Sequence, residues 1–364
     1  MHGETSVRSV MNWIRRVWLS CLTLVWLCRE LVAEGIDFLV RTPALRASIT
    51  NLHGPDNISY DRNEVIAVCV VKNGELYIRS FIEHHFALGV KHIVFLDNGS
   101  TDNTVEIARQ YQNVTVLQSD CRYHKYENAM KRYLARRFSR GRWCLFCDID
   151  ELFDYPFSDI LSLGSLLDYL NQHSFTAVVA QMLDLFSGES ISNDEGTHKN
   201  SVRDVYTYYD ISNIQKKPYK FGRLSNQSIK MYLGGIRKTV FGTNNGLTKV
   251  PLFFLDSRIR IFVAWHHVRN ARIADFTAVL LHYPFAGSFS TKVFEAVETQ
   301  RYGKTWTKDY KKYMQVLVQN PALRIREETA RELESVAQLV EDGFLVLSEE
   351  YKAWARARSN HYNG

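Results

Sequence analysis

Residues 64 to 147 alternate between short, largely apolar runs and amphipathic stretches. The runs EVIAVCVV, HIVFL, VTVLQ and WCLFC are typical of strands that are buried on both faces of a parallel sheet. Between the first two, ELYIRSFIEHHFALG has apolar residues at helical spacing and a terminal glycine, Gly89, that would end the helix. The alternation predicts an α/β fold with right-handed crossovers, in which ligands bind outside the carboxyl ends of the strands.

Acidic residues follow two of the predicted strands. Asp97 closes the second strand, and the stretch WCLFCDIDELFDYP brings four carboxylates directly after the fourth: Asp148, Asp150, Glu151 and Asp154. Carboxylates repel one another and are costly to desolvate, so a metal ion, a basic side chain or water must lie among them. Asp148 and Asp150 have the two-residue spacing that returns side chains to one side, which suits Mg²⁺ or Mn²⁺. We expect Asp97 and Asp148 to open onto one crevice, and Asn substitutions at Asp148 or Asp150 to leave folding intact.

The segment from AVCVVKNGE through LDNGSTDNT to FCDIDELFDYP resembles the nucleotide-sugar half of a GT-A glycosyltransferase of the family 2 type, in the subgroup with a D-x-D-E ending. The stretches GGIRKTVFG, LTKVPLFFL and ADFTAVLLHYPF resemble the later part of these enzymes. The resemblance implies a Rossmann-like, mostly parallel sheet and a nucleotide-sugar donor, most often a UDP-sugar. It also implies that Asp148 and Asp150 bind Mn²⁺ or Mg²⁺ on the donor diphosphate, and that the base and ribose contact Lys72, Asn73, Glu75, Asp97 and Asn98.

Glycosyl transfer also needs a base for the acceptor hydroxyl, and an inverting enzyme uses one carboxylate. Asp184 is the first candidate because it follows the D-x-D strand by one element, and Asp275 and Glu151 are the alternatives. His282 lies in the apolar stretch VLLHYPF, where it is either a third metal ligand or a core histidine. The polar stretch 187–201 has the composition of a mobile lid.

The predicted function is transfer of a sugar to a glycan, a lipid-linked molecule or another hydroxyl acceptor, as in polysaccharide biosynthesis. A nucleotidyltransferase would share the sheet and the acids, but VVKNGE is a poor phosphate loop. A non-catalytic carbohydrate-binding protein on the same fold would be expected to have lost the D-x-D. The chain has a formal net charge of +6, which suits anionic ligands or an anionic membrane and does not require nucleic acid.

The N-terminal region, residues 1–60, is apolar and basic. Its segment Val17–Cys28 has 12 residues without a charge, bracketed by arginines, and is too short for the roughly 20 residues that span a bilayer. An interfacial helix, a helix docked on the enzyme and an export signal all remain open. The expected location is cytoplasmic, with peripheral membrane contact, or alternatively the Golgi lumen or the exterior.

The remaining chain is predicted to form a GT-A domain at 61–320, with a nucleotide-sugar half at 61–156 and an acceptor half at 157–320, followed by a helical extension at 321–364. The six cysteines lack the spacing of a disulfide framework, which favours a reducing compartment. Cys144 and Cys147 would face opposite sides of a strand, and we interpret them as core thiols.

Overall fold

The computed structural model describes residues 32, 35–191, 201–262, 267–287, 289–300 and 303–359. The segment Val17–Cys28 and most of the expected lid lie outside the described residues, so both remain predictions. The chain divides into two compact units, Met1–Ala47 and Ser48–Gly364. In the first unit, a π-helical turn at Asp37–Arg41 continues into helix α1 (Thr42–Ser48). Of the helices that the structure describes, none is both long enough and apolar enough to cross a membrane.

The first half of the second unit is the alternating α/β pattern that the sequence predicts. Four strands lie parallel in the order β4-β3-β2-β5, and β1 adds an antiparallel edge to β4. The elements are β1 (Thr50–His53), β2 (Val65–Val71), α2 (Glu75–Leu88), β3 (His92–Asp97), α3 (Thr104–Ala108), β4 (Val114–Gln118), α4 (Tyr123–Phe138) and β5 (Trp143–Phe146).

The second half extends the same sheet in the order β5-β12-β7-β15-β10. Strand β12 is antiparallel to both of its neighbours, and β15 is parallel to β7. The elements up to β12 are β6 (Glu151–Asp154), α5 (Leu163–Gln172), β7 (Ala177–Phe186), α6 (Val202–Val205), β8 (Tyr208–Tyr209), β9 (Ile214–Pro218), β10 (Arg223–Leu224), β11 (Lys230–Gly234), α7 (Ile236–Phe241) and β12 (Thr248–Phe254).

The chain then forms a small hairpin, the long strand β15 and the C-terminal helices. The helical C-terminal region is confirmed, although it also holds a short strand, β16, that the sequence did not predict. These elements are β13 (Arg260–Phe262), β14 (His267–Arg269), β15 (Arg272–His282), α8 (Phe289–Thr299), α9 (Gly303–Gln319), β16 (Arg331–Glu332), α10 (Val336–Glu341) and α11 (Glu349–Ser359).

The core follows from the apolar patterns. Strands β2 and β3 are buried on both faces, and Ile78, Phe81 and Ile82 of α2 pack against the sheet with no exposed surface. Gly89 ends α2 with φ of 102°, a left-handed conformation that favours glycine. Cys144 and Cys147 are buried thiols, as predicted. The mostly parallel sheet therefore brings the carboxyl ends of β2, β3 and β5 to one edge, where the predicted site residues lie.

The acidic turn connects the two halves of this sheet. Strand β5 pairs with β2, whereas β6 pairs in antiparallel register with β15, so that Glu151 lies opposite His282. The residues between, Asp148 to Asp150, therefore lie where the parallel half of the sheet meets the later strands. This connection brings β12 and β15 side chains to the acidic turn, although they are far away in the sequence.

Candidate active site

A cleft of about 600 Å³ lies at the carboxyl ends of the central strands. Most of the residues that the resemblance assigned to the donor line it, together with cations from later elements. The polar lining residues on which the site depends are Lys72, Asn73, Glu75, Asn98, Asp102, Asp148, Asp150, Glu151, Arg237, Lys249, His282, Lys292 and Glu295.

The turns after β2 and β3 are joined into one wall of the cleft. The Asn73 amide donates to Ser100 Oγ at 2.9 Å, and Asn73 Oδ1 accepts from the Thr101 amide at 2.9 Å. The Glu75 carboxylate accepts from both the backbone amide and the side-chain amide of Asn103. These bonds join the two loops and fix their conformations.

Asp97 is placed differently from the expectation. Its carboxylate is fully buried, does not line the cleft, and accepts from the amides of Gly99 and Ser100 and from Gln118 Nε2, each at 3.1 Å. The neighbouring Asn98 does line the cleft, where its side chain donates to the Ser119 and Cys121 carbonyls. Asp97 therefore shapes the turn, and Asn98 is the residue available to a ligand.

Basic side chains lie among the carboxylates at Asp148. Lys131 Nζ is 3.1 Å from Asp148 Oδ1, and Lys249 Nζ is 2.9 Å from Asp148 Oδ2. Lys249 also forms an ion pair with Glu151, whose other oxygen accepts from the Asp148 amide. Burial lowers the pKa of Lys249, but the charges of Asp148 and Glu151 outweigh burial and raise it above its ordinary value. Asp148 and Glu151, which we call the lysine-bound pair, therefore both have their charges neutralised by lysine side chains.

Asp150 has different surroundings. Its Oδ2 is 3.5 Å from Lys292 Nζ and 3.7 Å from His282 Nε2. The other ring nitrogen of His282 lies 2.6 Å from Asp184 Oδ1, and Asp184 Oδ2 accepts from Arg237 Nε at 2.7 Å. Burial lowers the pKa of His282, but the two carboxylates outweigh burial and raise it to about 9. Asp184 and Arg237 thus fix the orientation of the imidazole that faces Asp150.

Among the described residues of the cleft, Asp150 and His282 are the pair placed to hold a divalent ion. The described residues bring no three potential ligands into a single metal-binding group, and both Asp148 oxygens are held by lysines. The 3.7 Å between Asp150 Oδ2 and His282 Nε2 would allow an ion about 2.1 Å from each ligand. Ions such as Mg²⁺ commonly take one or two protein ligands and complete their shell with water and substrate phosphates. The carboxylate behind the imidazole is the usual outer partner of a metal-binding histidine.

The two predicted bases do not occupy positions that suit a base. Asp184 is buried, and both its oxygens are engaged by His282 and Arg237. Asp275 lies near the start of β15, where it accepts from Tyr169 and Ser348. An extended strand rises about 3.3 Å per residue, which puts Asp275 roughly 23 Å from His282. Asp184 instead positions His282, and Asp275 belongs to the core. The third candidate, Glu151, is held by Lys249.

The sequence interpretation missed four cations: Lys131, Arg237, Lys249 and Lys292. Lys249 had a signal, since it is one charge in the otherwise apolar strand sequence LTKVPLFF. Lys131 lies among other basic residues of helix α4, and its side chain is only 2% exposed. No sequence signal pointed to Arg237 or Lys292, because their roles depend on where α7 and α8 pack.

The mostly parallel sheet, the acidic turn and the cleft at the carboxyl ends of the strands define a GT-A class of α/β protein. Residues 66–225 match the family model described as Glycosyl transferase family 2. This part of the chain, less than half of its length, is similar to glycosyl transferase family 2, and the fold is of the GT-A type. No curated protein sequence matches the chain significantly.

Several solved structures are similar to this chain. S. aureus TarS has 21% identity over 33% of this chain and 21% of its own, with a TM-score of 0.24. A mannosyltransferase from Pyrobaculum calidifontis, in complex with GDP-Man and Mn²⁺, has 13% identity over 92% of this chain and 94% of its own (TM-score 0.31). Glucosyl-3-phosphoglycerate synthase from Mycobacterium tuberculosis, with Mn²⁺ and UDP, has 18% identity over 35% of this chain and 51% of its own (TM-score 0.21). The chain thus spans about a fifth of the TarS structure and half of the synthase.

Proposed function

We propose that this protein transfers a sugar from a nucleotide-sugar donor to a hydroxyl acceptor, with inversion, and that Asp150 and His282 hold a divalent ion. The observation that carries the proposal is the pair of side chains Asp150 and His282, which face each other in the cleft while Asp184 fixes the histidine. Asp148 is not part of the ligand set in this proposal, because Lys131 and Lys249 bind it.

The charges around the acidic turn support binding of an ion together with a diphosphate. Four cations, Lys131, Lys249, Lys292 and Arg237, oppose five carboxylates, Glu127, Asp148, Asp150, Glu151 and Asp184. The cluster therefore carries one net negative charge when His282 is uncharged, and metal binding requires that uncharged form. A divalent ion adds two positive charges, and a nucleoside diphosphate ester brings two negative charges. The ion and the diphosphate thus complement each other in this cleft.

The proposed roles of the residues follow their positions. The wall formed by Lys72, Asn73, Glu75 and Asn98 offers charged and amide groups to the base and ribose of the donor. Lys292, beside Asp150, is placed to contact the diphosphate. A divalent ion, when bound, supplies charge stabilisation to the departing diphosphate. UDP-sugars are the first donors to test. GDP-mannose is the next, since the P. calidifontis enzyme was solved with it.

The test is donor binding and turnover by the purified full chain. Thermal stabilisation and release of nucleoside diphosphate are measured with UDP-glucose, UDP-N-acetylglucosamine, TDP-glucose and GDP-mannose, each with Mn²⁺ and with EDTA. We expect one donor class to stabilise the protein with Mn²⁺ and to release its diphosphate. If no donor does either, the proposed function is wrong. Equal donor binding in Mn²⁺ and in EDTA would contradict the proposed ion but not the proposed donor.

We also propose that the N-terminal region holds the enzyme at a membrane surface, near a glycan or lipid-linked acceptor. Beyond the charge pattern of Val17–Cys28, the described part of the first unit supports this idea, because Ile36, Phe38, Leu39 and Val40 are exposed. Flotation with vesicles of phosphatidylcholine and phosphatidylglycerol, using the full chain and a chain lacking residues 1–40, tests the proposal. Full-length protein that stays unbound at physiological salt would contradict it.

A further inference from the structure

The cleft contains one carboxylate whose role is not explained by the contacts above. Asp148, Asp150 and Glu151 are neutralised by cations, while Glu75 and Asp102 accept hydrogen bonds that organise the cleft wall. Glu295 is the remaining acidic residue among the described residues that line the cleft. In the part of the chain that the structure describes, its carboxylate makes no hydrogen bond and no ion pair.

The position of Glu295 relates it to the expected reaction centre. It lies on helix α8, one turn after Lys292, and residues three apart share one face of a helix. Lys292 reaches to within 3.5 Å of Asp150 Oδ2, so this face of α8 is directed at the acidic turn. Glu295 is exposed and lines the cleft. An acceptor hydroxyl entering from solvent would therefore meet Glu295 on its way to the donor.

We infer that Glu295 is the general base of the transfer, an assignment that rests on the proposed function. Its carboxylate takes the proton from the acceptor hydroxyl while the hydroxyl oxygen forms a bond to the anomeric carbon of the donor sugar. The bond from that carbon to the β-phosphate oxygen breaks, and its electron pair leaves with the nucleoside diphosphate. A single displacement of this kind inverts the anomeric centre and uses one carboxylate, as Glu295 provides.

The same helix offers a matched control. Glu298 lies one turn further along α8, is also exposed, and does not line the cleft. The variants Glu295→Gln, Glu295→Asp and Glu298→Gln are therefore compared with the wild type. Each protein is assayed with the donor that is active with Mn²⁺, and with water, octyl glucoside or octyl mannoside as the acceptor. Affinity for the nucleoside diphosphate is measured by calorimetry, and turnover by release of the nucleoside diphosphate.

We expect Glu295→Gln to lower kcat by a factor on the order of a hundred or more, because general-base catalysis contributes about that much. Diphosphate affinity should be unchanged, Glu295→Asp should keep part of the activity, and Glu298→Gln should match the wild type. Turnover of Glu295→Gln within a few-fold of the wild type would overturn the assignment, as would a parallel loss of diphosphate binding. If the wild type neither binds nor turns over any donor, the proposed function fails, and the base assignment fails with it.

Discussion

Asp148 and Asp150 are separated by one residue, yet their surroundings differ in kind. Each oxygen of Asp148 is held by a lysine that has almost no exposed surface, and one of those lysines also binds Glu151. Asp150 faces a histidine at 3.7 Å and the more exposed Lys292 at 3.5 Å. The first region is an ion-pair network at hydrogen-bond distances, whereas the contacts of Asp150 are longer, at 3.5 and 3.7 Å.

Under the proposed function, the same residue type in one motif serves stability at Asp148 and ion binding at Asp150. Buried ions are tolerated only when fixed partners replace water, and the lysine-bound pair meets that condition with protein groups alone. Asp150 Oδ2 and His282 Nε2 are 3.7 Å apart. In the proposed function, a ligand between them replaces part of their hydration. Substitutions that remove one charge at a time should therefore separate effects on folding from effects on the donor.

The largest effect is expected from Lys249→Met. This change leaves Asp148 and Glu151 without their shared cation, and the Glu151 side chain is 1% exposed. Removal of one partner of a buried ion pair costs about 3–5 kcal/mol of folding free energy. Urea unfolding measures the loss. The control is Lys72→Met, which removes an exposed lysine from the same cleft. Equal midpoints for the two variants would show that the lysine-bound pair contributes little to stability.

The second effect is a loss of function that exceeds the loss of stability. Asp150→Asn should lower donor affinity in Mn²⁺ at least a hundredfold, or about 2.7 kcal/mol, because it weakens one of the two proposed ligands. Its urea midpoint should fall less than that of Lys249→Met, because Asp150 is 3.5 Å from Lys292 and 3.7 Å from His282, longer than the ion pairs of Lys249. Calorimetry with the donor nucleotide, in Mn²⁺ and in EDTA, provides the measurement. Mn²⁺-dependent affinity for the donor nucleotide that is retained in Asp150→Asn would show that the ion does not bind at Asp150.

Most of the first half of the fold could be predicted from the sequence because its signals are local. Runs such as EVIAVCVV and HIVFL identify buried strands, and Gly89 marks a helix end, without reference to distant residues. The alternation then determines the parallel arrangement, which in turn places Asp148 and Asp150 at the binding edge. Each of these steps depends on neighbouring residues and on general rules of handedness.

The chemistry of the site could be predicted only in part, since it depends on contacts between distant segments. Lys249 meets Asp148 across 101 positions, and Asp184 meets His282 across 98 positions. The sequence shows that carboxylates need a positive charge but does not show which cation reaches them. For the same reason, the sequence makes Asp184 a candidate base, whereas in the structure Arg237 and His282 engage both of its oxygens.

The third effect contradicts a sequence-based expectation. Carboxylates without a metal should repel, so Asp148→Asn was expected to leave folding intact. The structure predicts instead a loss of about 2 kcal/mol, because Lys131 and Lys249 each lose an ion pair in a buried setting. Asp148 is itself 28% exposed, which is why the loss should be smaller than for Lys249→Met. Unfolding of Asp148→Asn, Asp150→Asn and the wild type under identical conditions decides the matter. Stability of Asp148→Asn equal to that of the wild type would support the expectation from carboxylate repulsion.

The smallest effect concerns Asp184, which the structure makes a positioning residue for His282. Asp184→Asn keeps an oxygen that can accept from His282 Nδ1 but removes the negative charge behind the imidazole. Outer partners of metal-binding histidines typically contribute ten- to a hundredfold in metal affinity. Because the hydrogen bond can persist, we expect the lower end, about tenfold or 1.4 kcal/mol. The Mn²⁺ concentration that gives half-maximal donor binding should rise accordingly, while turnover at saturating Mn²⁺ should change little.

This result also distinguishes the positioning role from a role as the base. A general base replaced by an amide would lose turnover at every Mn²⁺ concentration, whereas a positioning residue is compensated by more ion. Asp275→Asn is the matched control, since it alters another buried carboxylate on the same sheet, bonded to Tyr169 and Ser348. That variant should lose stability without changing the Mn²⁺ requirement. If Asp184→Asn instead loses turnover at saturating Mn²⁺ while donor binding persists, Asp184 is the base and Glu295 is not.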